Sequence, residues 1–525
     1  MFAAGLARAV RQFHPMPSPT ALFSASEIRD IERAAQTTLP AGTLMQRAGE
    51  AAAELALELI QSAGDTANVL ILAGPGNNGG DALEAAYRLA QGSLEVTIVL
   101  CADPARQPLN ARQALLRAQS SAACFVDTDL RDDLFAEKWD LVIDGLFGIG
   151  LTRAIDSTVR PLVQAVNVLA CPVLSLDVPS GLDADTGNIV GENGIAIRAS
   201  HTITFIGNKP GLHTAHGKDY AGAVRVASLD IDEACFIPFH AELNDVRLFS
   251  SHLRLRMHNS HKGSYGDVTV IGGARGMGGA AILAARAAAK SGAGRVYAAF
   301  IDDAPTHDSL QPELMCRNAV DHDFASGTFV AGPGLGISST ARNILERALN
   351  AQVPLVLDAD ALNLIAADTK LQTLAARHAS PLILTPHPLE AARLLGVSSA
   401  TIQDDRLAAA RQLARLFNAT IVLKGSGTVI ATPGDNAVIN TTGNPALATA
   451  GTGDVLAGMC GALLAQGWPE REAAVGAAWL HGHAADVLVE QGIGPTGLTA
   501  SELIPAIRAS LNQLINKNAQ HGRTL

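Results

Sequence analysis

Apolar positions along this chain gather into short continuous runs separated by segments of helical spacing. The run Asn68–Ala73 (NVLILA) has the length and composition of a buried strand. Before it, from Ser24 to Leu59, apolar residues recur with the period of a helix, and Ser24 or Ser26 stands where a cap belongs. Ala82–Gln91 reads as a further helix. Leu94–Cys101, Leu141–Asp144, Val173–Asp177, Thr202–Ile206 and Gly222–Val226 read as strands. Strands alternating with helices predict right-handed crossovers and a mostly parallel sheet. The pattern lapses between about Asp230 and Met257, where a domain junction is expected, and then restarts. Asp267–Ile271 is followed by glycines and an alanine-rich helix to Lys290. Arg295–Phe300, Thr328–Ala331, Leu355–Leu357, Leu382–Leu384 and Thr420–Leu423 are the next strands, and long helices are expected over Ala446–Gln466 and Glu472–Glu490.

Composition narrows the class. A length of 525 residues calls for two larger domains, and 48% hydrophobic residues supply a core for each. The 49 glycines cluster after apolar runs, as strand-to-helix turns require. A net charge of −11 argues against a nucleic-acid footprint. No apolar run is long enough for a membrane span. The six cysteines contain no CxxC pair, so a reducing, cytoplasmic setting is expected. The first 20 residues carry a few basic groups and no acid, a faint transit-peptide signal without a cleavage pattern.

The candidate chemistry lies at strand ends. Gly74-Pro-Gly-Asn-Asn-Gly-Gly-Asp81 joins a strand to a helix; glycines admit a ligand to the backbone and the helix start offers N–H groups. It is not the GxGxxG fingerprint. Asp144 and Asp177 end two further strands, and in open α/β sheets ligands bind beyond such ends. Singly, each aspartate is a turn-former or cap. Together with Asn77–Asp81 they describe one crevice, in which Asp177 suits a general base and the oxygens of Asn78, Asp144 and Ser180 suit a hard cation.

GPGNNGGD, DGLFGIGL, LDVPSGLDADTG and Asn208-Lys-Pro-Gly211 resemble the NAD(P)HX epimerase family, the YjeF N-terminal domain. The resemblance implies a Rossmann-like fold and interconversion of the R and S forms of nicotinamide dinucleotides hydrated at ring carbon 6. It implies substrate binding by Asn77, Asn78, Gly79, Gly80 and Asp81, by Gly148, Ile149, Gly150, Leu151, Thr152, Arg153 and Ala154, and by Asp177. It also implies a potassium ion on Asn78, Asp144 and Ser180. Ala82 and Ile149 depart from the family's common Gly and Thr.

In the second half, the block Asn444-Pro-Ala-Leu-Ala-Thr-Ala-Gly-Thr-Gly-Asp454 is the most telling. Gly451–Gly453 would turn N–H groups toward a transferring phosphate, and Asp454 beside them suits a base for the attacking hydroxyl. Alone, it also fits an aspartate capping a helix. With HKGSYG, GPGLG, DADALN, TPHP, Lys424-Gly-Ser-Gly-Thr428 and GLTAS, it resembles ADP-dependent NAD(P)HX dehydratase, of ribokinase-like fold. That resemblance implies phosphorylation of the hydrate's hydroxyl by ADP and elimination to NADH or NADPH. Ala280, Gly334, His387 and Asp454 would face the hydrated nucleotide. Lys424, Gly425, Ser426, Gly427, Thr428 and Gly453 would hold ADP, with Mg2+ on its phosphates. Leu389 and Ala446 replace common glycines.

The expectation is therefore α/β in two three-layer αβα domains. Residues 21–235 form a Rossmann-like epimerase and residues 245–518 a ribokinase-like dehydratase. The partners are NADHX or NADPHX and ADP, and the assembly is a homo-oligomer. A vitamin-precursor kinase with an accessory domain would also carry GTGD, but DADALN, TPHP and the fused first domain argue against it. A binding module like those of mRNA-decapping scaffolds would not need Asn77–Asp81, Asp144 and Asp177 together. His481 and His483, two apart on a helix, do not face one another and are read as structural.

Overall fold

The computed structural model describes residues 18–521 except 62–66, 127–133 and 136. Most of the N-terminal stretch considered for a transit peptide lies outside them. The chain forms two compact units. One takes the residues to Leu212 with His216–Phe239; the other takes His213–Ala215 and the residues from His240 on.

The first unit is built on seven strands: β1 (Asn68–Ala73), β2 (Glu95–Leu100), β3 (Cys124–Val126), β4 (Leu141–Gly145), β5 (Val173–Leu176), β6 (His201–Phe205) and β7 (Ala223–Ala227). They lie in the order β3-β2-β1-β4-β5-β6-β7, and every pair is parallel. Val69–Ala73 are wholly buried because helices cover both faces. Val69, Ile71 and Ala73 pack with the helices Ala25–Gln36, Thr43–Leu59, Asn77–Leu89 and Leu109–Gln119, while Leu70 and Leu72 pack with Leu162 and Val163 of Arg160–Val166. The strand order reverses direction at β1 and β4, so their carboxyl ends open a crevice. Ala73 pairs with Gly145 there, which sets the turns after both strands side by side.

Two expected helices change their bounds. The helical stretch from Ser24 to Leu59 is two helices, Ala25–Gln36 and Thr43–Leu59, because Pro40 and the left-handed Gly42 (φ 81°) interrupt it. Ser24 does cap the first, in a capping box with Glu27. The helix expected from Ala82 begins at Asn77, so Asn77–Asp81 is its first turn rather than a preceding loop.

The second unit has ten strands: β8 (Ala241–Leu243), β9 (Asp267–Gly272), β10 (Arg295–Phe300), β11 (Met315–Asn318), β12 (Thr328–Ala331), β13 (Leu355–Leu357), β14 (Leu382–Leu384), β15 (Thr420–Leu423), β16 (Val429–Ala431) and β17 (Ala437–Ile439). Their order is β8-β17-β16-β15-β14-β13-β12-β9-β10-β11. The strands from β9 to β15 pair in parallel, and only β16 runs against its neighbours. The helix expected over Ala446–Gln466 is a 3-10 turn, Pro445–Leu447, followed by a helix that starts at Thr452 and ends at Ala465. That helix and Gly278–Lys290 cover one face of the sheet, with Ala281, Ala284, Val455 and Met459 against Val268, Val270 and Val330. The two helices meet where Gly458 leaves room: a Cβ there would stand 2.1 Å from the Ala284 carbonyl oxygen. No helix among the described residues is long and apolar enough to cross a membrane.

Gly458→Ala should therefore destabilise the second unit. The helix-propensity gain of about 1 kcal/mol is outweighed by overpacking of about 1–3 kcal/mol against a backbone that cannot rotate away. Urea titration followed by circular dichroism measures it.

Candidate active sites

In the first unit the crevice beyond β1 and β4 is a cleft of about 920 Å³. Asn77, Asn78, Asp81, Gly148, Ile149, Gly150, Leu151, Thr152, Arg153 and Asp177 line it, joined by Arg29 and Glu32 from the helix Ala25–Gln36. Gly79, Gly80 and Ala154 are not on its wall. No side chain caps the helix that begins at Asn77, so its N-terminal N–H groups remain available for an anion.

Asp177 follows β5 with φ 66°, a left-handed conformation rare for a side-chain-bearing residue. Its Oδ1 accepts a 2.6 Å hydrogen bond from the Lys209 ammonium, and Oδ2 accepts one of 3.1 Å from the Ile149 N–H. A Cβ at Gly148 would lie 2.9 Å from Oδ2, so glycine keeps that side of the carboxylate open. Lys209 is wholly buried and also donates to Thr204 Oγ1 (2.7 Å) and to the Phe205 carbonyl (2.8 Å). Burial holds its pKa below the usual lysine value, against the opposing pull of Asp177. Burial and the charge of Asp177 push Asp81 well above the usual carboxylate range. The same two causes raise Glu32, with Arg29 opposing.

Asp144 and Ser180 are buried behind the cleft wall. Asp144 accepts from Ser180 Oγ (2.6 Å), Ser180 N (2.9 Å), Ser175 Oγ (2.8 Å) and Leu146 N (3.2 Å). Burial still raises its pKa against those bonds. Asn78 is buried, and neither atom of its amide has a hydrogen-bond partner. A Cβ at Gly148 would stand 3.4 Å from Asn78 Cβ and Cγ, so this unpartnered amide lies on the same side of the cleft as Asp177.

In the second unit, Asp358 ends β13 and is buried. Its Oδ1 accepts from Lys424 Nζ and from Thr385 Oγ1, each at 2.7 Å. Lys424 Nζ also lies 3.9 Å from Glu390 Oε2. Burial would lower its pKa, but Asp358 and Glu390 outweigh that and raise it. Gly453 sits over this ammonium, where a Cβ would be 3.4 Å from Nζ. Asp454 follows in the first turn of its helix. Burial, then the charge of Asp358, raise it to about 7. Gly334 and Ala280 are neighbours, since a Cβ on Gly334 would be 3.2 Å from that of Ala280. The Gly336 N–H donates to Asp360 (2.8 Å), which ties GPGLG to DADALN. Lys424, Gly453, Asp454, Gly334 and Ala280 thus belong to adjoining turns. Gly425–Thr428 form the turn between β15 and β16, with the buried Arg406 guanidinium donating to the carbonyls of Leu423 and Lys424 beneath it.

His387 caps the helix Pro388–Leu395. Its Nδ1 accepts from the N–H groups of Leu389 and Glu390, while Glu390 accepts from the His387 N–H. His481 is buried, held down to about 4 by burial, and bonds through Nε2 to the Thr452 carbonyl (3.0 Å). His483 instead packs on Trp479, ring centres 4.5 Å apart. Among the described residues no three His, Cys, Asp or Glu side chains are arranged to hold a metal ion.

Residues 41–211 match a family model described as the YjeF-related protein N-terminus, and residues 268–508 match one described as NAD(P)H-hydrate dehydratase. A bifunctional NAD(P)H-hydrate repair enzyme of Coxiella burnetii is 37% identical over 94% of this chain and 100% of its own length. The chain belongs to the bifunctional NAD(P)H-hydrate repair enzyme family. The Escherichia coli member is 36% identical over 96% of this chain and 97% of its own. Among solved structures, an ADP/ATP-dependent NAD(P)H-hydrate dehydratase of Bacillus subtilis, co-crystallised with ATP and Mg2+, is 30% identical over 52% of this chain and 98% of its own, with a TM-score of 0.46.

Beyond the residues singled out from the sequence, this repair-enzyme chain brings Lys209, Glu32, Thr385 and Glu390 to its two sites. Lys209 lies in the NKPG motif, but a lysine in sequence does not announce that it is buried. Glu390 lies just beyond the TPHP segment, three residues after His387.

Asp454 carries a proton in the folded protein up to about pH 7, but with its ordinary value of 3.8 it ionises near pH 4 when unfolded. Its contribution to stability is therefore lost as pH rises from about 4 to about 7. Asp454→Asn should raise Tm at pH 8 and leave it nearly unchanged at pH 4, as differential scanning calorimetry would show.

Proposed function

We propose that the first unit epimerises R and S forms of NADHX and NADPHX at Asp177, and that the second dehydrates the S form at Asp454 at the expense of ADP. The observation that carries the reading is one strand-end or helix-start carboxylate at each site, Asp177 bonded to an ammonium and Asp454 raised to about 7 by burial and neighbouring acids. In the cleft, the hydroxyl on ring carbon 6 leaves as hydroxide, water adds on the other face with its proton passing to Asp177, and Asp177 returns that proton to the hydroxide. Asn77, Asn78, Asp81 and the segment Gly148–Arg153 hold the dinucleotide. Asn78, Asp144 and Ser180 would hold a potassium ion, which would supply positive charge to this site; the unpartnered Asn78 amide supports that assignment.

In the second unit Asp454 takes the proton of the hydroxyl as its oxygen attacks phosphorus. AMP leaves, and the phosphate ester is then eliminated to give the reduced nicotinamide. The N–H groups of Gly453 and its neighbours cradle the transferring phosphoryl group, and Gly425–Thr428 the rest of the nucleotide. Mg2+ brought by the nucleotide would neutralise phosphate charge there, where Asp358, Asp360 and Glu390 surround Asp454. The six free thiols support a reducing, cytoplasmic setting. A homo-oligomer is part of the same proposal, and light scattering tests it.

With hydrated NADH and ADP the protein should restore the absorbance of reduced nicotinamide and release AMP and phosphate. No recovery with ADP or ATP would remove the dehydratase assignment. Asp454→Ala should abolish dehydration and spare epimerisation; Asp177→Ala should strand the R hydrate and spare dehydration of S.

Replacing potassium by a bulky organic cation should slow epimerisation alone, and Asn78→Ala should weaken the potassium dependence. Rates independent of potassium in both proteins would remove the ion from the cleft.

A further inference from the structure

We propose that Lys209 is the positioning residue of the epimerisation site: its buried ammonium clamps one oxygen of Asp177 and leaves the other at the cleft. The inference rests on the reading of Asp177 as the proton-transfer group of that cleft.

Lys209 has no exposed surface, so it cannot touch the substrate. Its ammonium has three donors, and all three are committed: to Asp177 Oδ1, Thr204 Oγ1 and the Phe205 carbonyl, at 2.6, 2.7 and 2.8 Å. Three bonds in three directions fix the nitrogen, and through it the carboxylate. Asp177 needs such a clamp because its backbone is held at φ 66°. The Ile149 N–H secures the second oxygen from the cleft side, next to Gly148. A buried ion pair is a costly way to hold a turn, and apolar packing would serve structure alone as well or better. What apolar packing cannot do is set a positive charge against Asp177 among the other acids. Glu32, from Ala25–Gln36, and Asp81, from Asn77–Leu89, both face it across the cleft, with Arg29 beside Glu32. Lys209 is the cation bonded to Asp177 itself.

The test uses the full-length chain, with purified R hydrate for epimerisation and S hydrate plus ADP for dehydration. Lys209→Met should lower the epimerase kcat by on the order of 10²-fold with KM little changed. It should also move the acid limb of kcat/KM to higher pH, because the remaining cleft carboxylates then oppose ionisation. Dehydration of the S hydrate should be unaffected. Lys209→Arg keeps the charge but not the three-way geometry, so it should lose less in kcat and keep the wild-type acid limb. A Lys209→Met enzyme with wild-type kcat and pH profile overturns the proposal, as does a loss confined to KM with the acid limb unmoved. If Lys209→Met does not fold by near-ultraviolet circular dichroism, Lys209→Arg decides, and a wild-type kcat or a displaced acid limb overturns it. Asp177→Asn run alongside separates the two ideas: retained epimerisation there removes the Asp177 reading itself, whereas its loss beside an unimpaired Lys209→Met removes only the role of Lys209.

Discussion

A carboxylate at the end of a buried parallel strand has lost its water, and the protein must replace what water supplied. Both units are organised by that requirement. Asp144 is compensated by two serine hydroxyls and two backbone N–H groups. Asp177 takes an ammonium. Asp358 takes an ammonium and a threonine hydroxyl. Each solution dictates what surrounds it: Ser175 stands opposite Asp144 on the next strand, Lys209 comes in under the sheet's end, and Thr385 ends the strand beside Asp358.

The two proposed proton-transfer groups differ in how close their cation is. Lys209 bonds directly to Asp177. Lys424 gives its short bond to Asp358, and Asp454 stands one step removed with Asp358, Asp360 and Glu390 around it. One site thus holds its carboxylate by a clamp, whereas the other leaves it exposed to its neighbours' charge. These are two ways of setting protonation with the same residue types.

Much of this was legible in the sequence, and what was not has physical causes. The buried strands announced themselves because a parallel sheet covered on both faces demands continuous apolar runs; Asn68–Ala73 and Arg295–Phe300 have the bounds their patterns gave. Strands of three or four residues at the margins, such as Cys124–Val126, Met315–Asn318 and Ala437–Ile439, are too short for a period to emerge. The helix at Asn77 starts earlier than its pattern indicates because its glycines also compose its first turn, whereas the helix at Thr452 starts later because Pro445–Leu447 is a separate 3-10 turn and the left-handed Gly451 (φ 91°) precedes the helix. The acids of the sites were visible as strand-end residues. Their partners were not, since Lys209 is 32 positions from Asp177 and Lys424 is 66 from Asp358. Such pairings become apparent only when the sheet order is known.

The buried His481 separates shape from charge in the second unit. Facing a carbonyl, its Nε2 must carry the proton, so it is a donor in its neutral form. Held down to about 4, it keeps that form throughout the range in which Asp454, near 7, changes charge. The residue that anchors the start of the helix is therefore silent while the residue that helix presents is titrating. The scaffold stays fixed as its reactive group switches, and a pH curve of this unit reads chemistry rather than a moving helix.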